Sequence, residues 1–154
     1  MFLHAGLAHI GGNMLYVWVF GDNLDNVMGH VKYLICYLLC GLIASLSHVL
    51  VTSFTGNDML VPSLGASGAI SGVLGGYLLL FPKNQVRVFM MGMLVHVPAF
   101  ITLGLWILLQ VVSGVGMLGA HGGGGLAYAA HVGGFVAGLI LVKLFRNKPV
   151  PATV

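Results

Sequence analysis

Ser67 stands in Leu64-Gly65-Ala66-Ser67-Gly68-Ala69, where small residues on both sides leave its hydroxyl unscreened and let backbone N–H groups come close to whatever it touches. A serine in that setting is either a nucleophile or a packing residue of an apolar helix. As a nucleophile it needs a base within hydrogen-bond reach, and donors for the charge that develops on the carbonyl oxygen it attacks. His131, in Ala130-His131-Val132-Gly133-Gly134, offers an imidazole whose unperturbed pKa of about 6.5 suits a base at neutral pH. His9 and Asn13 lie one helical turn apart on one face and offer donors beside the Ser67 backbone N–H. Their alternative role is structural, as polar groups that bond neighbouring helices inside a bilayer.

The elements that must position these groups are membrane helices. Of the 154 residues, 58% are hydrophobic and only 6% charged, against roughly a quarter charged in soluble domains. Mean hydropathy is +1.03. Apolar windows of transmembrane character fall at Ile10 to Phe20 (extended upward by Leu3 to Ala8), Tyr33 to Val51, Gly65 to Phe81, Val88 to Val112 and Leu126 to Phe145. The expectation is therefore an all-α polytopic membrane protein with five spans. Phe20 to Asn26 reads as the turn that closes the first span. The third span carries Gly68, Gly72 and Gly76 as two G-x-x-x-G steps, and the last carries Gly134 and Gly138, so both present faces that another backbone can approach.

The net charge of +3 does not point to nucleic acid, because its distribution follows the membrane. Lys32, Lys83, Arg87, Lys143, Arg146 and Lys148 all fall on one side of the expected spans, which the positive-inside rule makes cytoplasmic. The C-terminus is then cytoplasmic, and an odd number of spans puts Met1 outside. That is an unusual start, and a helix preceding it would resolve the orientation.

Counting about 1.5 Å of rise per residue from the cytoplasmic boundary places Ser67, His131 and His9 at similar depth, roughly 18–22 Å up, with Asn13 one turn deeper. The glycine faces would bring Ser67 and His131 together. No carboxylate can orient His131: the chain has no Glu, Asp22 and Asp25 lie at the cytoplasmic end, and Asp58 lies in an outer loop. A hydrolase built this way uses a Ser–His dyad.

Taken together, these motifs resemble the rhomboid family of intramembrane serine proteases, in its prokaryotic form. Gly65-Ala66-Ser67-Gly68 is similar to the family's G-x-S-G, and His131 with Gly134 and Gly138 to its A-H-x-x-G-x-x-x-G. His4, His9 and Asn13 match the histidine and asparagine pattern of the family's second helix. The resemblance implies Ser67 as nucleophile, His131 as base, and His9, Asn13 and the Ser67 N–H as oxyanion donors. His4, Gly65, Gly68, Gly134 and Gly138 are implied as structural support.

It further implies a rhomboid-like helical bundle with five helices of a six-helix core, the first helix lying outside the matched region. Residues 1–146 would form the catalytic domain and 147–154 a cytoplasmic tail. Substrates would be transmembrane proteins cut near their outer ends and admitted past the fourth span. An inactive, client-binding relative is the alternative. Where some members carry an aromatic residue four positions after the serine, to stack on the histidine, this chain has Ser71.

Nothing in the remaining sequence suggests a cofactor or metal. Cys36 and Cys40, one turn apart within a span, read as small packing residues, and His121 has no second ligand nearby. His48, His96 and Trp106 read as bystander or packing residues. The glycine-rich loop before the last span reads as flexible.

Overall fold

The computed structural model describes residues 2–55, 64–90, 92–117, 124–147 and 149. The chain is a bundle of helical rods joined at one point by a β-hairpin. The first rod is α1 (Leu7–Tyr16), a π-helical turn (Val17–Gly21) and α2 (Asp22–Met28), followed by α3 (His30–Thr55) and α4 (Ser67–Leu80). The hairpin β1 (Gln85–Met90) and β2 (Met93–Pro98) leads into α5 (Ala99–Met117), and α6 (Gly124–Phe145) closes the bundle. His30–Phe54, Ala99–Gly116 and Ala127–Phe145 are long and apolar enough to cross a membrane. This is a multi-pass helical membrane protein.

Helix α4 is the axis. Residues Ala69 to Tyr77 are buried on every side, as a helix apolar all round must be when it is enclosed by others. Its glycines set the distances. A Cβ on Gly68 would meet Ala44 of α3, one on Gly72 would meet Cys40, and one on Gly75 would fall on the Phe135 carbonyl of α6. From the other side, a Cβ on Gly134 or Gly138 would fall on the carbonyl of Gly68 or Gly72. Cys36, Cys40 and Ala44 form the inward stripe of α3, and Leu34, Leu38, Leu42, Leu46 and Leu50 its exposed stripe. Small residues inside and leucines outside are what lipid surroundings demand, since close backbone approach rather than hydrophobicity holds such helices together. Cys36 and Cys40 are free and buried.

At 14 residues, α4 is too short to cross on its own. It covers about 21 Å of a hydrocarbon layer about 30 Å thick. Measured from the exposed, charged Lys83 as the near boundary, its N-terminus stops inside the layer. Ser67 is therefore at depth because the helix that carries it begins there.

Two expectations are corrected. The span from Val88 to Val112 is not one helix: the chain pairs Val86 with Val97 and Val88 with Val95 in an antiparallel hairpin, and α5 starts only at Ala99. Valines at every second position suit a strand, with Val86 buried while Arg87 and Phe89 face outward. Gly92 supplies a positive φ at the tip. An apolar count cannot separate such a run from a helix.

Nor does Phe20 to Asn26 form a turn. Leu24, Val27 and Met28 bury into the core and keep the rod helical to Met28. The reversal falls at Gly29, with φ 82° and its N–H donated to the Asp25 carbonyl at 2.6 Å. Asp and Asn are tolerated within a helix, whereas that backbone conformation favours glycine.

Asn147, expected as the first tail residue, is held in place. Its Nδ2 donates to the Met28 carbonyl at 2.7 Å and its N–H to the Val27 carbonyl at 3.2 Å, and its Oδ1 accepts from Lys32. The cation-bearing ends of α3 and α6 are thereby tied to one turn. The outer-loop Asp58, His121 and the tail beyond Pro149 lie outside the described residues.

Candidate active site

Ser67 is the first residue of α4, preceded by Ala66 and by Gly65 at φ 96°. The first N–H groups of a helix have no carbonyl one turn earlier to accept them, so the Ser67 N–H has no acceptor within its own helix. Its Oγ lies 2.9 Å from Nε2 of His131, which α6 carries one turn before Phe135. The Gly68 and Gly134 contact explains the approach, because side chains there would hold the helices too far apart for this hydrogen bond.

His9 and Asn13 approach from α1. The His9 ring and the Asn13 amide both lie against Gly65, two residues before Ser67, and the backbone there is fixed by the Gly65 N–H donating to the Leu3 carbonyl at 2.7 Å. Asn13 is buried, and its Nδ2 donates to the His9 carbonyl at 2.9 Å. The His9 Nδ1 accepts from the Ala5 N–H at 3.3 Å, and His4 packs edge-on to His9 with centroids 5.3 Å apart. Ser67 and His131 are therefore in contact at the N-terminal end of α4, His9 and Asn13 lie against Gly65 just before it, and Gly138 packs deeper, on Gly72. His96 is not among them: it sits on β2 opposite Arg87.

Sequence reasoning missed two contacts of His131, both from α5. Gln110 Oε1 lies 2.7 Å from His131 Nδ1, on the far side of the ring from Ser67. Trp106, one turn earlier on the same face, packs against the His131 ring with centroids 5.9 Å apart and planes inclined by 39°. An aromatic face thus meets the His131 ring from α5, not from the position four residues after the serine. The residue in that position, Ser71, is fully buried and donates its hydroxyl to the Ser67 carbonyl at 2.7 Å. Gln110 carries the only amide side chain in α5, and a strongly polar group in a span is itself a signal of function.

Trp106 also walls a cavity of about 420 Å³ between the first rod and α5, with Tyr16, Phe20, Val88 and Leu103 on its other sides. Among the described residues no group of His, Cys, Asp and Glu could hold a metal ion.

A family model described as Rhomboid domain matches residues 1–148. The chain belongs to the rhomboid family. Among its relatives, Rhomboid protein 1, mitochondrial, of Saccharomyces cerevisiae is 32% identical over 90% of this chain and 38% of its own length. Rhomboid protease GluP of Bacillus subtilis is 32% identical over 83% of this chain and 24% of its own. Presenilin-associated rhomboid-like protein, mitochondrial, of Homo sapiens is 32% identical over 60% of this chain and 24% of its own. The rhomboid chain described here therefore spans well under half the length of these relatives. No solved structure gives a significant match.

Proposed function

We propose that this rhomboid is an intramembrane serine endopeptidase that hydrolyses peptide bonds in or near the transmembrane segments of other proteins. The observation that carries the reading is the 2.9 Å contact between Ser67 Oγ and His131 Nε2 inside an apolar bundle. A buried hydroxyl and imidazole also satisfy each other's hydrogen bonding, but this pairing sets the hydroxyl proton against a ring nitrogen, as acyl transfer needs.

His131 Nε2 takes the Ser67 proton as Oγ attacks the substrate carbonyl. The oxygen that becomes negative is met by the Ser67 N–H, with the Asn13 amide and the His9 ring on the side of Gly65. The C–N bond then breaks, His131 passes its proton to the leaving amine, and water activated by the same nitrogen hydrolyses the acyl-enzyme. The cavity beside Trp106 is a lateral approach for a substrate segment from the bilayer, and the protein requires no cofactor. Its setting is a cell membrane of prokaryotic type, with the cation-bearing end and C-terminus in the cytoplasm.

The test uses purified protein in proteoliposomes with a model transmembrane substrate. Ser67→Ala and His131→Ala are each expected to lower cleavage by about a thousandfold or more, with folding intact. Full-rate cleavage by either variant defeats the mechanism. Failure of Ser67 to label with a fluorophosphonate would favour a client-binding protein without protease activity.

A further inference from the structure

The geometry points to Gln110 as the positioning residue for His131, a neutral amide standing where three-residue serine hydrolases use a carboxylate. This inference rests on Ser67 acting as nucleophile. Oε1 of Gln110 has lone pairs and no proton, so its 2.7 Å contact with Nδ1 requires the ring to donate. A neutral imidazole that carries its proton on Nδ1 has a bare Nε2. That is the nitrogen 2.9 Å from Ser67 Oγ, and only bare can it receive the hydroxyl proton. With its amide oxygen turned to the ring, Gln110 holds the tautomer in which His131 is a base rather than a donor.

Trp106 adds a second constraint from the same helix. It sits four residues before Gln110, so one face of α5 delivers both a hydrogen-bond acceptor at the ring edge and an aromatic surface against the ring. Neither the α4 nor the α6 backbone holds the far side of the imidazole, and α5 is the element that does so. Among the described residues, the side chains hydrogen-bonded to His131 or ring-packed on it are Ser67, Gln110 and Trp106, and no carboxylate or cation is paired with it.

The choice of an amide suits the location. A carboxylate beside His131 would have to be desolvated within the bilayer, and an unpaired buried charge is costly. An amide orients the ring at far smaller cost. It also stabilises the imidazolium less than a carboxylate would, so orientation rather than charge is its contribution.

The experiment compares wild type, Gln110→Met and Gln110→Glu in the full-length protein. Met matches glutamine in length with only a weak thioether acceptor, and Glu keeps a strong one. Kinetics are read on a transmembrane substrate. The tautomer is read from ring ¹⁵N shifts of histidine-labelled protein, assigned by comparison with His131→Ala.

Wild type and Gln110→Glu are expected to hold the proton on Nδ1, and Gln110→Met to move it substantially to Nε2. Met is expected to lower kcat roughly tenfold or more with KM within about twofold, because a misaligned base affects the transition state and not substrate binding. Glu is expected to recover most of that loss. A proton found on Nε2 already in wild type overturns the inference and requires no variant to fold. So does Nδ1–H retained in Gln110→Met, whatever its rate. Cleavage that survives Ser67→Ala defeats the protease reading instead, while the ¹⁵N shifts still report on Gln110.

Discussion

A Cβ on Gly138 would fall on the carbonyl oxygen of Gly72, so the α4 and α6 backbones are in direct contact at that crossing. The obstacle is main chain, which cannot swing aside as a side chain does. Gly138→Ala should therefore force the helices apart and cost about 1–3 kcal/mol or more, the range for overpacking a tight interior. Gly104, on α5, is the control, because a Cβ added there would have nothing within 4 Å. Gly104→Ala should leave stability within about 0.5 kcal/mol of wild type or raise it slightly. Unfolding in mixed micelles measures both, and equal behaviour of the two variants would refute the packing argument.

Gly65 is constrained in two ways. Its φ of 96° disfavours any side chain, and a Cβ would stand 2.8 Å from two atoms of the His9 ring. Gly65→Ala should displace His9 and shift the residue pair that leads into Ser67. The backbone strain costs about 1–2 kcal/mol, but the effect on cleavage should exceed that on folding, because small displacements of reacting groups are amplified in rate. A variant whose kcat falls by about tenfold or more at near-normal stability fits this account. Unchanged kcat would show that His9 and Gly65 have no part in the chemistry.

The fold class was legible because membrane helices announce themselves by apolar length, and the α4 and α6 crossing because glycine spacing is a geometric statement. The helical limits of the first rod were not. Asp22, Asn23 and Asp25 look like turn formers, but the burial of Leu24, Val27 and Met28 decides in favour of helix. The hairpin was hidden because Val86, Val88, Val95 and Val97 add hydrophobicity to either a strand or a span. At the site, Ser67, His131, His9 and Asn13 could be nominated from spacing and depth alone. Gln110 stood out only as the lone amide of a span, and its pairing with His131 becomes visible only when α5 and α6 are packed face to face.

The chemistry assigned to His131 also predicts a pH profile. Only unprotonated Nε2 can accept the Ser67 proton, so acid removes the base. Below the pKa of His131 in the free enzyme, kcat/KM should fall about tenfold per pH unit, and above it the rate should level off. The sign is fixed by the role: a general acid would give the opposite limb. Cleavage measured across the range in which the protein stays folded checks this, and a rate that rises on acidification would exclude His131 as the base.

Asn147 closes the far end of the bundle. It donates to the carbonyls of Val27 and Met28 and accepts from Lys32, so a single side chain and its own N–H join the end of α6 to the turn between α2 and α3. The carbonyls at the end of α2 lack N–H donors within their own helix, which makes these bonds useful there. Asn147→Ala removes the two side-chain bonds and keeps the N–H donor, and should cost about 1–2 kcal/mol. Because the site lies at the other end of α4, the Ser67 and His131 geometry should persist. The expected result is a lower unfolding midpoint with fluorophosphonate labelling of Ser67 unchanged at temperatures where the protein is folded. Loss of labelling in a folded Asn147→Ala protein would mean that the two ends of the bundle are coupled more tightly than their contacts indicate.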